Sequence, residues 1–291
     1  MRILILALCL FLSPAMPGAA ELKLATWNIA WLTARDQELP RDRNQRHPAD
    51  LDLLAGYAQR LEADILALQE VDGPEAAARV IDPRQYAFFF PAEDDLQRSG
   101  FAIRRGLRVT RNRDLEALDL NPTARHSLRR GTDVTVESGG QRLRLLSLHL
   151  KSGCSSGSLA RAEPDCEKLA RQGQIVAGWV AARRAEGVAF ALLGDFNRTL
   201  AGPQDAMLQA LTAAAPLTRV TEGTANPCWA GPRGGRAFVD HILLGGPARG
   251  WLVPDSLRVM VYAEGRDSPR NAEWRDRLSD HCPVSIRLRL P

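Results

Sequence analysis

The stretch around which the chain is organised reads AFALLGDFNR and covers residues 189–198. Its first five residues, 189–193, are small or apolar, which is enough for a strand buried on both faces. The strand breaks at Gly194 and presents Asp195 and Asn197, whose side chains share one side if the strand geometry persists. A carboxylate and an amide at the end of a buried strand are typical of a functional site in an α/β protein. The alternative is a turn in which both side chains cap backbone N–H groups.

The beginning of the chain has the pattern of a secretory signal peptide. Met1 and Arg2 precede an apolar run from Ile3 to Leu12, and small residues lead to an expected cleavage after Ala20. The apolar run is too short for an ordinary membrane anchor. We therefore expect residues 1–20 to be removed and the protein to be secreted or periplasmic, without a stable membrane anchor.

After this segment the sequence contains four cysteines, which are Cys154, Cys166, Cys228 and Cys282. An even number of cysteines in an oxidising compartment favours two disulfides. Cys154 and Cys166 bracket a polar loop, and we expect them to form one disulfide for that reason. The second disulfide, between Cys228 and Cys282, follows by elimination. Four free thiols are the alternative, which export disfavours. A zinc site is also disfavoured, because no C-x-x-C or H-x-x-x-H spacing is present.

Composition limits the domain organisation and the partners. Residues 21–291 show no linker, internal repeat or low-complexity run, so we expect one domain and a monomer, with no partner protein implied. The formal net charge of +4 is too small to indicate nucleic-acid binding by itself.

A strand–helix–strand unit occupies the first quarter of the mature chain. Residues 22–28 predict a strand, 49–63 carry the apolar stripe of a helix, and 64–71 predict a second, buried strand. This order predicts parallel neighbours. Asn28 and Glu70, at the ends of the two strands, should therefore lie side by side.

The rest of the chain predicts more strands than helices. The Gly139-Gly140 turn lies between two apolar strands and predicts a hairpin. Strands are expected at 85–90, 100–103, 132–136, 142–150, 236–244, 251–262 and 284–290, and helices at 166–186 and 199–214. This pattern indicates two stacked mixed sheets with helices outside.

Polar residues follow several of the predicted strands or lie in the loops beyond them. They are Asn28, Glu70, His149, Asp195, Asn197, Asp240, Asp280 and His281. Carboxylate and amide oxygens suit Mg²⁺, which polarises a phosphoryl group, while a histidine or aspartate positions the attacking water. A covalent mechanism is disfavoured, since neither a G-x-S-x-G elbow nor a Cys-His signature is present.

Six short motifs carry a family resemblance. They are TWN at 26–28, LQE at 68–70, SLHL at 147–150, GDFN at 194–197, VDH at 239–241 and SDH at 279–281. In this order, over nearly the whole mature chain, they resemble the endonuclease/exonuclease/phosphatase superfamily and its deoxyribonuclease I-like members. The resemblance implies an α/β (α+β) fold: a four-layer α/β/β/α sandwich of two mixed β-sheets flanked by helices. Its site would lie between the sheets at one end.

The same resemblance implies a metal site and a histidine–aspartate pair. Glu70 would be the main Mg²⁺ ligand, with Asn28 and Asp280 contributing and Mn²⁺ as a possible substitute. Asp240 would orient His281, and this pair would activate or order the attacking water.

Residues that contact phosphate are implied in the same way. His149 and Asn197 would hold the scissile phosphate and stabilise its transition-state charge. Asp195 would share in water activation or hold a second ion, so both Asp195 and His281 remain candidates for the general base. Arg129 or Arg130 falls near a phosphate-contacting arginine of relatives, and the sequence does not choose between them.

The expected function is that of a secreted Mg²⁺-dependent phosphodiesterase, an extracellular endonuclease acting on DNA and on RNA as well. The alternatives are a phospholipase C or sphingomyelinase-like lipid phosphodiesterase, a phosphomonoesterase, and a catalytically silent binding module. The tyrosine that abasic-site endonucleases present ahead of the GDFN motif is replaced here by the context of His149. This difference and the signal peptide argue against a role in DNA repair.

Overall fold

Strands and helices alternate irregularly along the chain. The computed structural model describes residues 20–43, 45–124, 127–231, 234–265 and 271–291, so that of the expected signal peptide at 1–20 only Ala20 lies within the described residues. The described strands are β1 (Glu21–Leu32), β2 (Ile65–Val71), β3 (Tyr86–Phe89), β4 (Gly100–Arg104), β5 (Arg108–Arg111), β6 (Thr132–Ser138), β7 (Gln141–His149), β8 (Ala189–Asp195), β9 (Leu217–Arg219), β10 (Asn226–Gly231), β11 (Gly234–Arg236), β12 (Asp240–Gly245), β13 (Arg258–Val259) and β14 (Val284–Arg289). The described helices are α1 (Pro48–Leu61), α2 (Gly73–Ala77), α3 (Pro164–Glu186), α4 (Ala206–Ala214) and α5 (Asn271–Arg277).

Each of the two main sheets is built around one parallel strand pair joined by a helix. In the first sheet β1 and β2 are parallel and α1 connects them, as the sequence predicts. In the second sheet β7 and β8 are parallel and α3 connects them. The carboxyl ends of parallel strands meet at one edge of a sheet, so each unit gathers the residues that follow its two strands.

The remaining strands extend each unit into a six-stranded mixed sheet. The first sheet has the order β13-β14-β1-β2-β4-β3, and the second has the order β5-β6-β7-β8-β12-β9. The pairing of β6 with β7 is the antiparallel hairpin that the Gly139-Gly140 turn predicts. A separate two-stranded hairpin, β10 with β11, lies between β9 and β12 in the sequence.

Three apolar clusters separate four layers. In β2, Ile65 and Ala67 belong to the cluster between the sheets, whereas Leu66 and Leu68 belong to the cluster that includes residues of α1 and α2. The strand β8 alternates in the same way, and its Phe190 faces a third cluster with residues of α3 and α4. Strands buried on both faces require helices outside each sheet. The result is the expected four-layer α/β/β/α sandwich.

Three predicted elements differ from the structure. The helix expected over 199–214 begins only at Ala206, because the Asp205 carboxylate caps the N–H groups of Met207 and Leu208. The strand expected over 236–244 is divided, since β11 pairs with β10 whereas β12 pairs with β8 and β9.

The strand expected over 251–262 is also largely absent. A 3₁₀ helix, Gly246–Trp251, is followed by a turn at Pro254 and Asp255, and Asp255 has φ 52°. A proline and a left-handed residue interrupt extended backbone. Only the two-residue strand β13 remains.

The four cysteines that follow the expected signal peptide form two disulfides. Cys154 and Cys166 have their sulfur atoms 2.00 Å apart, and Cys228 and Cys282 have theirs 2.07 Å apart. Within the described ranges, every helix is too short or too polar to cross a membrane.

Candidate active site

The two parallel strand pairs meet at their carboxyl ends, and Asn28 joins them. Its Nδ2 atom donates to Glu70 Oε1 at 3.1 Å, across the first sheet, and to Asp195 Oδ2 at 3.2 Å, in the second sheet. His149 Nε2 lies 3.6 Å from Glu70 Oε1 and 3.8 Å from Asp195 Oδ2. These four predicted residues, which lie toward or at the carboxyl ends of β1, β2, β7 and β8, therefore form one cluster between the sheets.

Asp195 and Asn197 form an Asx-type turn at the end of β8. Asp195 Oδ1 accepts the Asn197 N–H at 2.7 Å, and Asn197 has φ 50°. The Asn197 Nδ2 atom lies 3.2 Å from Asp195 Oδ2 and 2.9 Å from the Leu150 carbonyl oxygen, to which it also donates. The strand geometry thus ends at Asp195, and the turn considered from the sequence is present. The same turn places the Asn197 amide next to Asp195 in the cluster.

His281 is paired with Asp240. The His281 Nδ1 atom contacts Asp240 Oδ2 at 2.8 Å and Oδ1 at 3.0 Å, while its Nε2 lies 3.8 Å from Asp195 Oδ2. Burial alone would lower the pKa of His281, but the carboxylates of Asp240 and Asp195 hold this pKa well above its usual value. A protonated imidazolium that donates through Nδ1 to Asp240 accounts for this geometry.

The pKa of His149 is shifted in the direction opposite to that of His281. Burial, and then the positive charges of Arg129 and His281, hold the pKa of His149 well below its usual value. His149 is therefore neutral at neutral pH and can present a neutral N–H to a ligand.

Asp195 lies between the two histidines and has a raised pKa. Burial is the main cause that raises the pKa of its carboxyl, His281 opposes the shift, and the negative charges of Asp240 and Glu70 add to it, so that the resulting pKa is about 7. A carboxylate with such a pKa can take up and release a proton near neutral pH.

The segment that carries Asp280 and His281 is fixed by contacts that sequence analysis missed. Ser279 Oγ donates to the Asn28 carbonyl oxygen at 2.8 Å and accepts the His281 N–H at 3.0 Å. Tyr262 donates its hydroxyl to the His281 carbonyl oxygen at 3.0 Å. The SDH motif was the one available signal for Ser279, whereas no pattern around Tyr262 indicated a role.

Arg46 joins the same segment to the end of β1. Its Nη2 atom donates to the carbonyl oxygens of Ile29, Ala30 and Leu278 at 2.7, 2.6 and 2.7 Å. Burial lowers the pKa of this guanidinium to about 10. An arginine that bonds to main-chain oxygens on both segments holds Asn28 and Asp280 in one arrangement.

The residues fit a hard divalent cation. The Glu70 side chain is 14% exposed and that of Asp280 is 53% exposed, so both carboxylates can reach an ion that keeps part of its water. Asn28 turns its Oδ1 to the Ala30 N–H at 2.9 Å, and its amide would have to rotate to offer oxygen to an ion. Among the described residues, the group of histidine and acidic side chains whose ligand atoms lie within 4.8 Å of one another is Asp195, Asp240 and His281, and this group contains neither Glu70 nor Asp280 of the predicted ligand set.

Three other polar residues belong to the sequence motifs or were candidates for a phosphate contact, namely His241, Arg129 and Arg130. His241 is buried and bonds to Thr221 Oγ1 at 2.7 Å and to the Arg198 carbonyl oxygen at 3.0 Å. Burial lowers the pKa of His241 to about 4, which makes it a neutral support. Arg129 is buried and donates to the Leu150 carbonyl oxygen at 3.1 Å, whereas Arg130 faces Glu93.

Fold and site together define an α/β sandwich protein of the deoxyribonuclease I-like class, with acidic and histidine side chains gathered between its sheets. The model of the Endonuclease/Exonuclease/phosphatase family matches residues 25–281, and the chain belongs to this family. A comparison with curated proteins gives no match.

Solved structures with the same fold come from several organisms. A humanized TDP2 from D. rerio is 17% identical, with 92% of this chain and 98% of that chain covered and a TM-score of 0.56. The 3'-5' exonuclease NExo from Neisseria meningitidis is 19% identical, with coverages of 92% and 100% and a TM-score of 0.56. The AP endonuclease LMAP from Leishmania major is 15% identical, with coverages of 93% and 88% and a TM-score of 0.58.

Proposed function

We propose that the mature chain is a metal-dependent phosphodiesterase that hydrolyses P–O bonds by water attack, and that its substrate is nucleic acid outside the cytoplasm. The observation that carries the proposal is the single cluster in which Glu70, a neutral His149 and the Asp240–His281 pair all surround Asp195. Two structural neighbours support a nucleic-acid substrate. One is D. rerio TDP2 complexed with a single-strand DNA product, and the other is a Neisseria NExo variant bound to a product DNA hairpin.

The proposed metal ligands are Glu70, Asn28 and Asp280. When bound, Mg²⁺, or Mn²⁺ as a substitute, would polarise the phosphoryl group and steady the leaving oxygen. The position of Glu70 beside Asn28 and the partial exposure of Asp280 support this set.

The proposed roles of the other residues follow from their charge at neutral pH. His281, protonated and fixed by Asp240, would stabilise negative charge on the phosphoryl oxygens. His149 and Asn197 would hold the phosphate through neutral N–H groups.

Of the two candidates for the general base, the protonation states favour Asp195. A protonated His281 has no free nitrogen to accept a proton, whereas the pKa of the Asp195 carboxyl is raised to about 7. Asp195 would accept a proton from the attacking water.

The proposed cellular context is secretion or export to the periplasm after cleavage near Ala20. The two disulfides support an oxidising compartment. Within the proposal, residues 21–291 act as one catalytic domain and as a monomer.

The test is a substrate panel. Purified mature protein with Mg²⁺ or Mn²⁺ is given plasmid DNA, RNA, sphingomyelin and bis-p-nitrophenyl phosphate, and products are quantified. Cleavage of nucleic acid is the expected result. Turnover of sphingomyelin without cleavage of nucleic acid would indicate that the protein is a lipid phosphodiesterase. No turnover of any substrate, with metal bound, would identify a binding module.

A further inference from the structure

Trp31 occupies a position that the proposed chemistry does not explain. It lies three residues beyond Asn28 and lines three cavities, the two larger of which have volumes of about 810 Å³ and about 240 Å³. Arg129 and Lys151 also line the larger cavity, and Asp280 lines the smaller one. Trp31 is partly exposed, so part of it is open to solvent.

The fold does not use Trp31 in its core. In the described part of the chain, the other five tryptophans belong to one of the three apolar clusters or pack against one. Trp31 is in none of them. A large aromatic side chain placed at a cleft instead of in a core is typical of a binding surface.

The backbone that presents Trp31 is held in an unfavourable conformation. Ala30 has φ 43° and Trp31 has φ 61°, so two consecutive residues with a Cβ atom adopt left-handed geometry. The Ala30 N–H donates to Asn28 Oδ1 at 2.9 Å, and Arg46 holds the Ile29 and Ala30 carbonyl oxygens. Strained residues of this kind cluster at functional sites, where surrounding contacts over-determine them.

One cationic group lies beside the ring, and another lines the larger cavity. The Arg43 guanidinium carbon is 5.6 Å from the centroid of the Trp31 ring, within the range of a cation–π contact. In the larger cavity, Arg129 Nε is buried and has no hydrogen-bond partner among the described residues. An unpaired buried N–H is costly and marks a place for an acceptor such as a phosphate oxygen.

We propose that Trp31 stacks on an unpaired nucleobase next to the scissile phosphate, with Arg129 contacting the adjoining backbone. This inference rests on the proposed function and narrows its substrate class to single-stranded nucleic acid or frayed ends. Aromatic side chains that stack on bases, combined with cationic groups that follow the backbone, are how single strands are bound without sequence preference. A duplex offers its bases only after unpairing, so it is bound more weakly at this position.

The test compares a short single-stranded DNA oligonucleotide with the same oligonucleotide carrying abasic residues around the scissile phosphate. The wild-type holoenzyme, Trp31→Ala and Trp31→Phe are assayed on both. Trp31→Ala raises KM for the base-bearing strand about ten-fold or more and leaves KM for the abasic strand nearly unchanged. Trp31→Phe keeps most of the affinity, because it retains an aromatic face.

Trp31→Gly shows whether a loss of binding comes from the missing aromatic ring or from a disturbed backbone of this segment. Glycine adopts φ 61° without the penalty of a Cβ atom, so this variant keeps the wild-type Tm and shows the same loss on the base-bearing strand as Trp31→Ala. A variant in the core, Trp251→Phe, serves as the control for tryptophan replacement and leaves both KM values unchanged.

A binding readout without turnover completes the design. In the presence of EDTA, the base-bearing strand quenches the tryptophan fluorescence of the wild type, and this quenching is lost in Trp31→Phe but kept in Trp251→Phe. Equal effects of Trp31→Ala on the two strands, or no effect on either, would overturn the role of Trp31. A wild-type protein that cleaves plasmid DNA but neither oligonucleotide would overturn this inference and leave the proposed function standing. A wild-type protein that cleaves no nucleic acid would overturn the proposed function, and the quenching experiment would then decide about Trp31 alone.

Discussion

At the scale of single residues, the contact between Asp240 and His281 governs the orientation of the imidazole. Asp240 accepts from His281 Nδ1 with both oxygens, and asparagine would replace one acceptor by a donor. We expect Asp240→Asn to lower kcat roughly 10²- to 10⁴-fold, because His281 loses the partner that fixes its orientation and charge. Steady-state kinetics at saturating Mg²⁺ measure this effect. Asp255→Asn, at an exposed turn, is the control, and a kcat equal to wild type in Asp240→Asn would contradict the assignment.

Glu70 and His281 should differ in their effect on metal binding. Glu70→Gln is expected to weaken Mg²⁺ binding about ten-fold or more, since a neutral amide replaces the carboxylate that a hard cation prefers. His281→Ala should lower kcat while metal affinity stays nearly intact. Isothermal titration calorimetry with Mn²⁺ and kinetics against Mg²⁺ concentration separate the two parameters. A His281→Ala variant with full activity would show that the SDH motif has been placed wrongly.

The Glu93 carboxyl, which is not among the proposed metal ligands, should make the free energy of unfolding depend on pH. Its side chain is 9% exposed, Oε1 has no partner among the described residues, and burial foremost raises its pKa from 4.5 to about 7. Between these pH values the folded state keeps a proton that the unfolded state has lost. The contribution of this carboxyl to the free energy of unfolding therefore falls as pH rises from 4.5 through 7. Above pH 7 the total loss is on the order of 3 kcal/mol.

Glu93→Gln should remove that slope. The free energy of unfolding of the variant minus that of wild type is expected to increase between pH 5 and pH 8, as measured by urea unfolding at each pH. Glu167→Gln, on the exposed face of α3, is the matched control and should give a difference independent of pH. A flat difference for Glu93→Gln would mean that its carboxyl titrates normally.

At the scale of elements, the approach of β7 to β8 depends on Gly194. It pairs with Leu148 in the register that sets His149 beside Asp195, and a Cβ atom at Gly194 would lie 2.0 Å from the Leu148 carbonyl oxygen. We expect Gly194→Ala to destabilise the protein by about 3 kcal/mol or more, because backbone must move to relieve the clash. Gly178→Ala, in α3 with no atom near the added methyl group, should stabilise by about 0.5–1 kcal/mol. Thermal and urea unfolding of both variants check this contrast.

Elements were predictable where the local sequence determines them. The strands β2 and β8 are apolar on both faces, and the Gly139-Gly140 turn by itself indicates the hairpin of β6 and β7. Edge strands such as β5 and β9 are short and only partly buried, and they exist through pairing with β6 and β12. No local pattern of apolar residues marks them, since the pairing partner supplies the order.

At the scale of the whole molecule, the site likewise combines residues that the local sequence indicates with residues whose role depends on distant contacts. The proximity of Asn28, Glu70, His149 and Asp195 was predictable, because these residues lie toward the carboxyl ends of two parallel strand pairs. Asp240, at the start of β12, and His281, in the loop before β14, are brought to them by the topology. The residues that hold this part of the structure in place could not be predicted. Trp27, for example, donates to Tyr262 across a sequence separation of 235 residues. Arg46 likewise reaches Leu278 across 232 residues, and no periodicity or spacing encodes a contact of that range.

The site also makes a prediction about cooperativity, because its residues come from both sheets. Asn28 and Glu70 belong to the first sheet, His149 and Asp195 to the second, and one apolar cluster fills the space between them. Neither sheet could keep its inner face covered if the other unfolded, so we expect residues 21–291 to unfold as a single domain in one transition. Tryptophan fluorescence and far-UV circular dichroism should give the same urea midpoint, and Mg²⁺ should raise both midpoints together by stabilising only the folded state. Two separate transitions, or a midpoint raised by Mg²⁺ in only one probe, would show that the two sheets fold independently.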